Sequence, residues 1–190
     1  MRRVLVLVVM VLLAVLVAPA AAQSVRTVAV IDFVDETSDG RMIGATRLSA
    51  ELAAELAAAS GGRLRVVPVE TVRAAMASRG YAPRDIFNTT KMLEIAAAVG
   101  ADLIVTGRWM HLDTDWVVIE RPKDDRPLFR YLIGSAMIEV RVLEAPSRQV
   151  LLADSFSDSV QGFFGPPLAM LQAARRVLRQ AAVTIARTVP

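Results

Sequence analysis

The segment His111-Leu112-Asp113-Thr114-Asp115 holds the only histidine of the chain. An extended backbone would carry His111, Asp113 and Asp115 on one face, as a three-ligand metal site requires. The plainer reading of the same pattern is the polar face of an edge strand or a turn. A second acidic group, Asp32, Asp35 and Glu36, follows an apolar run, where α/β enzymes often place carboxylates. Asp32 and Asp35 lack the one-residue spacing of a paired-carboxylate phosphatase motif, so loop capping is the expected role. Nucleophilic chemistry finds less support. There is no cysteine and no G-x-S-x-G elbow, and Ser135, Ser155 and Ser157 have no base beside them in the sequence. No G-x-G-x-x-G or Walker-type loop is present. These residues define the alternative reading, a small metal-binding protein or hydrolase using Asp32 and Asp35 or His111 and Asp113. The expectation is no metal and no cofactor.

Two further segments suit contact with a partner. Gly162-Phe163-Phe164-Gly165-Pro166-Pro167 frames two adjacent aromatic residues in a loop that cannot bury both rings in a regular strand or helix. The plainer reading has them pinning the loop to the sheet. Residues 121–130 are charged and bracketed by proline, and Lys123, Asp124 and Arg126 would form the tip of a docking loop or a solvated turn.

The elements that position these residues follow from periodicity. Thr27–Phe33 is a β-branched run of strand length, closed by polar residues that end in Ser-Asp-Gly. From Met42 to Ala59, Ala45, Leu48, Leu52 and Leu56 recur at helical spacing with Glu51 and Glu55 on another face, and Gly61-Gly62 supply the stop. Leu64–Val67 reads as a strand and Val69, Val72 and Met76 as the buried face of a helix that ends near Gly80. Residues 81–87 read as a loop. Asn88 or Thr89 then caps a helix with Met92, Ile95, Ala96 and Val99 inward and Gly100 at its end. Leu103–Met110, Trp116–Glu120, Leu132–Leu143 and Val150–Phe156 read as strands, with turns at 122–127 and 145–148, and form an antiparallel meander. A last helix opens at Pro166-Pro167, with Leu168, Leu171, Val177 or Leu178, Ala181 and Ile185 on one side and Arg175, Arg176 and Arg179 mostly on another. The predicted fold is a single α/β domain, a mixed sheet flanked by helices.

The VAVIDF strand, the loop with Asp35, Glu36 and Gly40, the strand RLRVV, the helix ending at Arg79-Gly80-Tyr81, Asp85, and AAAVGADLIVTGRW together resemble an envelope superfamily. It holds the amino-terminal domain of TolB, the CsgG family of curli-production assembly proteins, and small outer-membrane lipoproteins such as activators of penicillin-binding proteins. The likeness covers nearly all of Thr27 to Thr188 and centres on Ala98–Asp102 and Gly107. Those residues also have local reasons: Gly100 terminates a helix, Asp102 accepts hydrogen bonds from the turn, and Gly107 marks a bulge or a close backbone approach. The resemblance implies binding and not catalysis, and it transfers no active-site residues. The implied partners are other envelope proteins or further copies in a ring. Two departures follow from this sequence. Without cysteine there is no thiol to lipidate. A membrane-spanning hairpin needs strands of about 9 to 11 residues, and Trp116–Glu120 is too short an arm for one, so no pore is expected.

Arg2-Arg3, the apolar run Val4–Val17 and Ala20-Ala21-Ala22 read as a cleavable export signal, 1–22, with an uncleaved anchor as the alternative. A periplasmic domain over 23–190 is expected. The formal charge is +3, and without Arg2 and Arg3 it falls by two. No nucleic-acid partner follows from so small an excess. The reading is a non-enzymatic periplasmic adaptor or assembly component of a cell-envelope or secretion complex.

Overall fold

A computed structural model describes residues 25–37, 44–121, 124–162 and 165–189. The proposed export signal, 1–22, lies outside the described residues. The apolar run beginning at Thr27 forms β1 (Arg26–Val30), whose residues Thr27 to Val30 are all buried. The strand was expected to reach Phe33. It ends at Val30, and the chain resumes as β2 (Val34–Asp35) beside the next-but-one strand. Helix α1 (Ala45–Ala59), β3 (Leu64–Val66) and α2 (Val69–Ala77) follow as the periodicity predicts. Residues read as a loop contain a 3-10 turn at Pro83–Phe87.

Asn88 caps α3 (Thr89–Val99) through its Oδ1, which accepts from the Thr90 and Lys91 backbone N–H groups at 3.0 and 3.2 Å. Gly100 ends it at φ 63°, a left-handed conformation that costs glycine little. Asp102 does not serve its own turn. Its Oδ2 accepts from the Thr27 N–H at 2.7 Å, and its N–H donates to the Thr27 carbonyl at 2.8 Å, so it fastens the start of β1.

The second half is a meander of three long strands, β4 (Leu103–Arg121), β5 (Asp124–Glu144) and β6 (Val150–Gly162), followed by α4 (Pro166–Thr188). The sheet order is β3-β1-β4-β5-β6, with β2 also on β4. Pairing is parallel among β3, β1 and β4 and antiparallel from β4 to β6. The two segments read as separate strands, Leu103–Met110 and Trp116–Glu120, are one strand joined through the polar stretch His111–Asp115. Of the turn placed at 122–127, the backbone of 124–127 belongs instead to β5.

A bulge between Trp109 and His111 decides which residues face inward. Strict alternation from Trp109 would bury His111 and expose Leu112. The extra residue reverses the phase, so Leu112 is buried and His111 exposed.

Helices α1 and α4 cover one face of the sheet and α2 and α3 the other. The charged faces of α1 and α4 meet: Arg175 donates to both carboxylate oxygens of Glu51 at 3.0 and 3.2 Å, and Arg179 pairs with Glu55. Helix α4 buries small residues, Ala169, Ala173, Ala174, Ala181, Ala182 and Ala186 among them, which lets it lie close on β5 and β6. Helices α2 and α3 pack on β1, the start of β4 and Leu143 near the end of β5. Among the described residues, no helix covers the outer half of the sheet on that side.

Asp85 anchors the 3-10 turn. Its carboxylate accepts from Lys91 Nζ at 2.7 Å and from the Ala82 N–H at 2.8 Å, and these bonds hold its pKa below the ordinary aspartate value. Glu144 is held low in the same way by the Ser147 hydroxyl and by Arg26. A depressed carboxylate supports the fold above its unfolded pKa and loses that support as pH falls through its folded pKa. Asp85→Asn is therefore expected to be less stable than wild type in urea titrations at about pH 7, with a narrower gap at about pH 3. A gap that stays constant between the two would refute the assignment.

Candidate interaction surfaces

The residues suited to chemistry are held apart. Asp32, beyond the end of β1, accepts two hydrogen bonds from Arg73, at 2.6 and 2.9 Å, and this pairing raises the arginine's pKa. Asp35 accepts from the N–H and the hydroxyl of Thr37, at 2.9 and 2.7 Å, the loop-capping role its position predicts. Glu36 turns to Arg108 on β4. His111 and Asp113 do share a face of β4 with Asp115, opposite Met137, Ser135 and Ile133. Among the described residues, no three His, Cys, Asp or Glu side chains are gathered as a metal site would need. The sequence showed no base beside Ser135, yet the pairing of β4 with β5 brings His111 Nε2 to 2.9 Å from its hydroxyl. No carboxylate orients the other ring nitrogen among the described residues, because Asp113 accepts instead from the Thr114 N–H at 2.7 Å.

Two surfaces are more prominent. The first is the hairpin end of β4 and β5. Strand β6 stops at Gly162, level with Leu132, which is itself paired to Trp116. Beyond that level β4 and β5 continue as a two-stranded ribbon, pairing Val117 with Tyr131, Val118 with Arg130 and Ile119 with Phe129. Trp116, Val118 and Ile119 are 61%, 39% and 45% exposed. Trp116 and Val118 lie on the α4 side and Ile119 on the other, so the ribbon exposes apolar side chains on both faces. The length argument against a membrane hairpin is thus overturned, since β4 runs 19 residues and β5 runs 21. The arms still carry Asp113 and Asp115 among their outward residues, where a lipid-facing row would be apolar.

Of the candidate partner residues, Asp124 and Arg126 fall at this same end. Asp124 opens β5 opposite Arg121, and Arg126 lies two residues further along, so both belong to a strand and not to a docking loop. Lys123 lies outside the described residues, as do Phe163 and Phe164. Gly162 immediately precedes the aromatic pair and is level with Trp116 across the sheet.

The second surface is the bare outer face of β4, β5 and β6. Its rows read across the three strands as Thr106–Arg141–Ala153, Arg108–Glu139–Ser155, His111–Met137–Ser157 and Asp113–Ser135–Ser159. Arg108 is the best-held side chain on it. Its Nε donates to Glu139 at 2.7 Å and its Nη1 to Glu36 at 3.2 Å, with the guanidinium 5.8 Å from the centre of the Phe87 ring. Glu139 is the first cause of the rise in its pKa. Sequence reasoning missed this network. The alternation Ile138-Glu139-Val140-Arg141-Val142 carried the signal for a polar outer face, but only the fold supplies Glu36 and Phe87 to it.

Strand β6 is a long edge, and its carboxylates blunt it. Asp154 and Asp158 each accept from the next backbone N–H, those of Ser155 and Ser159, at 2.8 and 2.7 Å. Asp113 does the same for Thr114 on β4. Backbone donors satisfied by neighbouring side chains are poor templates for a foreign strand.

No family model matches this sequence, and no curated protein does. Solved structures do match in fold. A lipoprotein from Neisseria meningitidis is similar over 83% of this chain and 98% of its own, at 14% identity and a TM-score of 0.52. A hypothetical protein from Chlamydia trachomatis is similar over 86% of this chain and 97% of its own, at 16% identity and a TM-score of 0.58. At these identities the likeness shows the fold, a single mixed α/β domain. No helix among the described residues is long and apolar enough to cross a membrane.

Proposed function

We propose that this chain is a non-enzymatic adaptor or assembly component of a cell-envelope complex, exported to the periplasm by residues 1–22. One observation carries the reading: the ribbon at the end of β4 and β5 exposes apolar side chains on both faces. A ribbon of this kind in water gains by burying those faces against another protein. The fold it shares with a lipoprotein supports an envelope setting, and kinship with the TolB amino-terminal and CsgG-like proteins belongs to the same proposal. The partner is another envelope protein or a second copy of this chain. The proposed contact takes in Trp116 and Ile119 with Asp124 and Arg126 at the start of β5, together with Lys123, Phe163 and Phe164 as the sequence suggests them. Attachment through a lipidated cysteine has no residue to use.

The test is site-specific photo-crosslinking in cells, with the probe at Ile119 or, as a control on the far end of α4, at Arg187. A discrete adduct is expected from Ile119 and none from Arg187. An adduct at twice the chain's mass identifies a second copy. Trp116→Ser should abolish the adduct while changing stability by no more than about 0.5 kcal/mol, because an exposed side chain contributes little to the fold. Equal adducts from both positions, or an adduct unaffected by Trp116→Ser, would refute the proposal.

A further inference from the structure

The bare outer face of the sheet contains a hollow of about 470 Å³ beside the 3-10 turn. Its floor is the row Thr106–Arg141–Ala153, in which the large central side chain is flanked on both neighbouring strands by small ones. Phe87, 52% exposed, forms one wall. Glu139 and Ser155 close the floor towards the next row.

Arg141 is the unusual member. It is half-buried, yet it forms no ion pair and no hydrogen bond among the described residues. Arg108, one row away, is by contrast neutralised by two carboxylates. A guanidinium partly withdrawn from water favours an anion that can accept from its planar fork. The hydroxyl of Thr106, a residue only 3% exposed, likewise has no partner among the described residues, and Thr106 borders the hollow. It adds a donor beside the guanidinium. The apolar wall selects for a flat or aliphatic group attached to the anion. Glu139 selects against a second negative charge, since only one of its oxygens is engaged by Arg108.

We propose that this hollow binds a monoanionic carboxylate carrying an apolar group, with the carboxylate on Arg141 and Thr106 and the apolar group against Phe87. The site lies on the strand rows away from the hairpin end, and its test is independent of the ribbon.

The experiment is a titration of the purified protein with N-acetylphenylalanine, followed by amide and side-chain chemical shifts. N-acetylphenylalanine amide, acetate and inorganic phosphate serve as comparison probes. Saturable shifts are expected at Thr106, Arg141 and Phe87. The amide, lacking the charge, and acetate, lacking the ring, should each bind about tenfold more weakly or worse. Arg141→Gln should bring the same loss. Ala153→Leu, at an exposed edge position, should fill the hollow and weaken binding while leaving the charge in place, which keeps the test valid should Arg141→Gln not fold. The proposal is overturned by any of three results: no saturation up to about 10 mM, a concentration more than a thousandfold above a micromolar Kd; equal binding of acid and amide; or phosphate binding more tightly than the acid at the same residues.

Discussion

Gly134→Ala is expected to cost about 3 kcal/mol or more, the upper end of what an overpacked core costs. A Cβ at Gly134 would stand 2.3 Å from the carbonyl carbon of Ala169, 2.4 Å from its oxygen and 2.7 Å from the Met170 nitrogen. All three are backbone atoms in the first turns of α4, and no rotamer change can move them aside. The helix must lift from β5, and it carries Ala173, Val177, Ala181 and Ile185 in the same buried stripe. Gly165→Ala, just ahead of the same helix, is the control. Among the described residues, no atom beyond its chain neighbours comes within less than 4.0 Å of a Cβ there, and the change should stay within about 0.5 kcal/mol. Urea denaturation of the two variants measures the contrast. A loss below about 1 kcal/mol for Gly134→Ala would show that α4 is not seated on β5 as described.

Trp109→Ala is expected to cost about 3 to 5 kcal/mol, the range for removing a large buried aromatic side chain. Trp109 is 1% exposed and packs against Phe33, with ring centroids 6.5 Å apart and planes tilted by 49°. The backbone of the same residue pairs with Asp35, and its carbonyl accepts from the Glu36 N–H at 3.2 Å. Its loss thus loosens the segment that brings Glu36 to Arg108. Trp109→Phe should be far milder. The indole Nε1 is buried without an acceptor among the described residues, a penalty of about 1 to 3 kcal/mol that phenylalanine removes. The smaller ring gives part of that back as a cavity. Thermal or urea unfolding should therefore rank Ala well below Phe, and equal losses would mean that the core does not depend on the ring.

Both sites show how a long hairpin and a helix are held in one place. Gly134 lets α4 close over β5 near the level where β6 ends, and Trp109 fixes β2 against the middle of β4. The ribbon beyond them is left to its own pairing. That combination of a rigid base and a two-sided apolar extension suits a surface that meets a partner, and the outer face supplies a separate hollow on the same strands.

What the sequence determined by itself was whatever depends on near neighbours. The period of Leu48, Leu52 and Leu56, the cap at Asn88 and the left-handed stop at Gly100 all read correctly, because capping and helical spacing act within a few residues. The tertiary structure decided the rest. His111–Asp115 has little strand propensity of its own, and it is extended because β5 offers a continuous ladder of hydrogen bonds. The bulge after Trp109, which chooses between His111 and Leu112 for the core, is a property of two paired strands. Asp102 reaches Thr27 and Arg175 reaches Glu51 across 75 and 124 residues. Arg141 lies in a hollow because Thr106 and Ala153, far apart in the chain, become its neighbours. Pairing between distant segments is settled by the shared burial of their faces, and a local pattern holds no record of which segment will supply the other side.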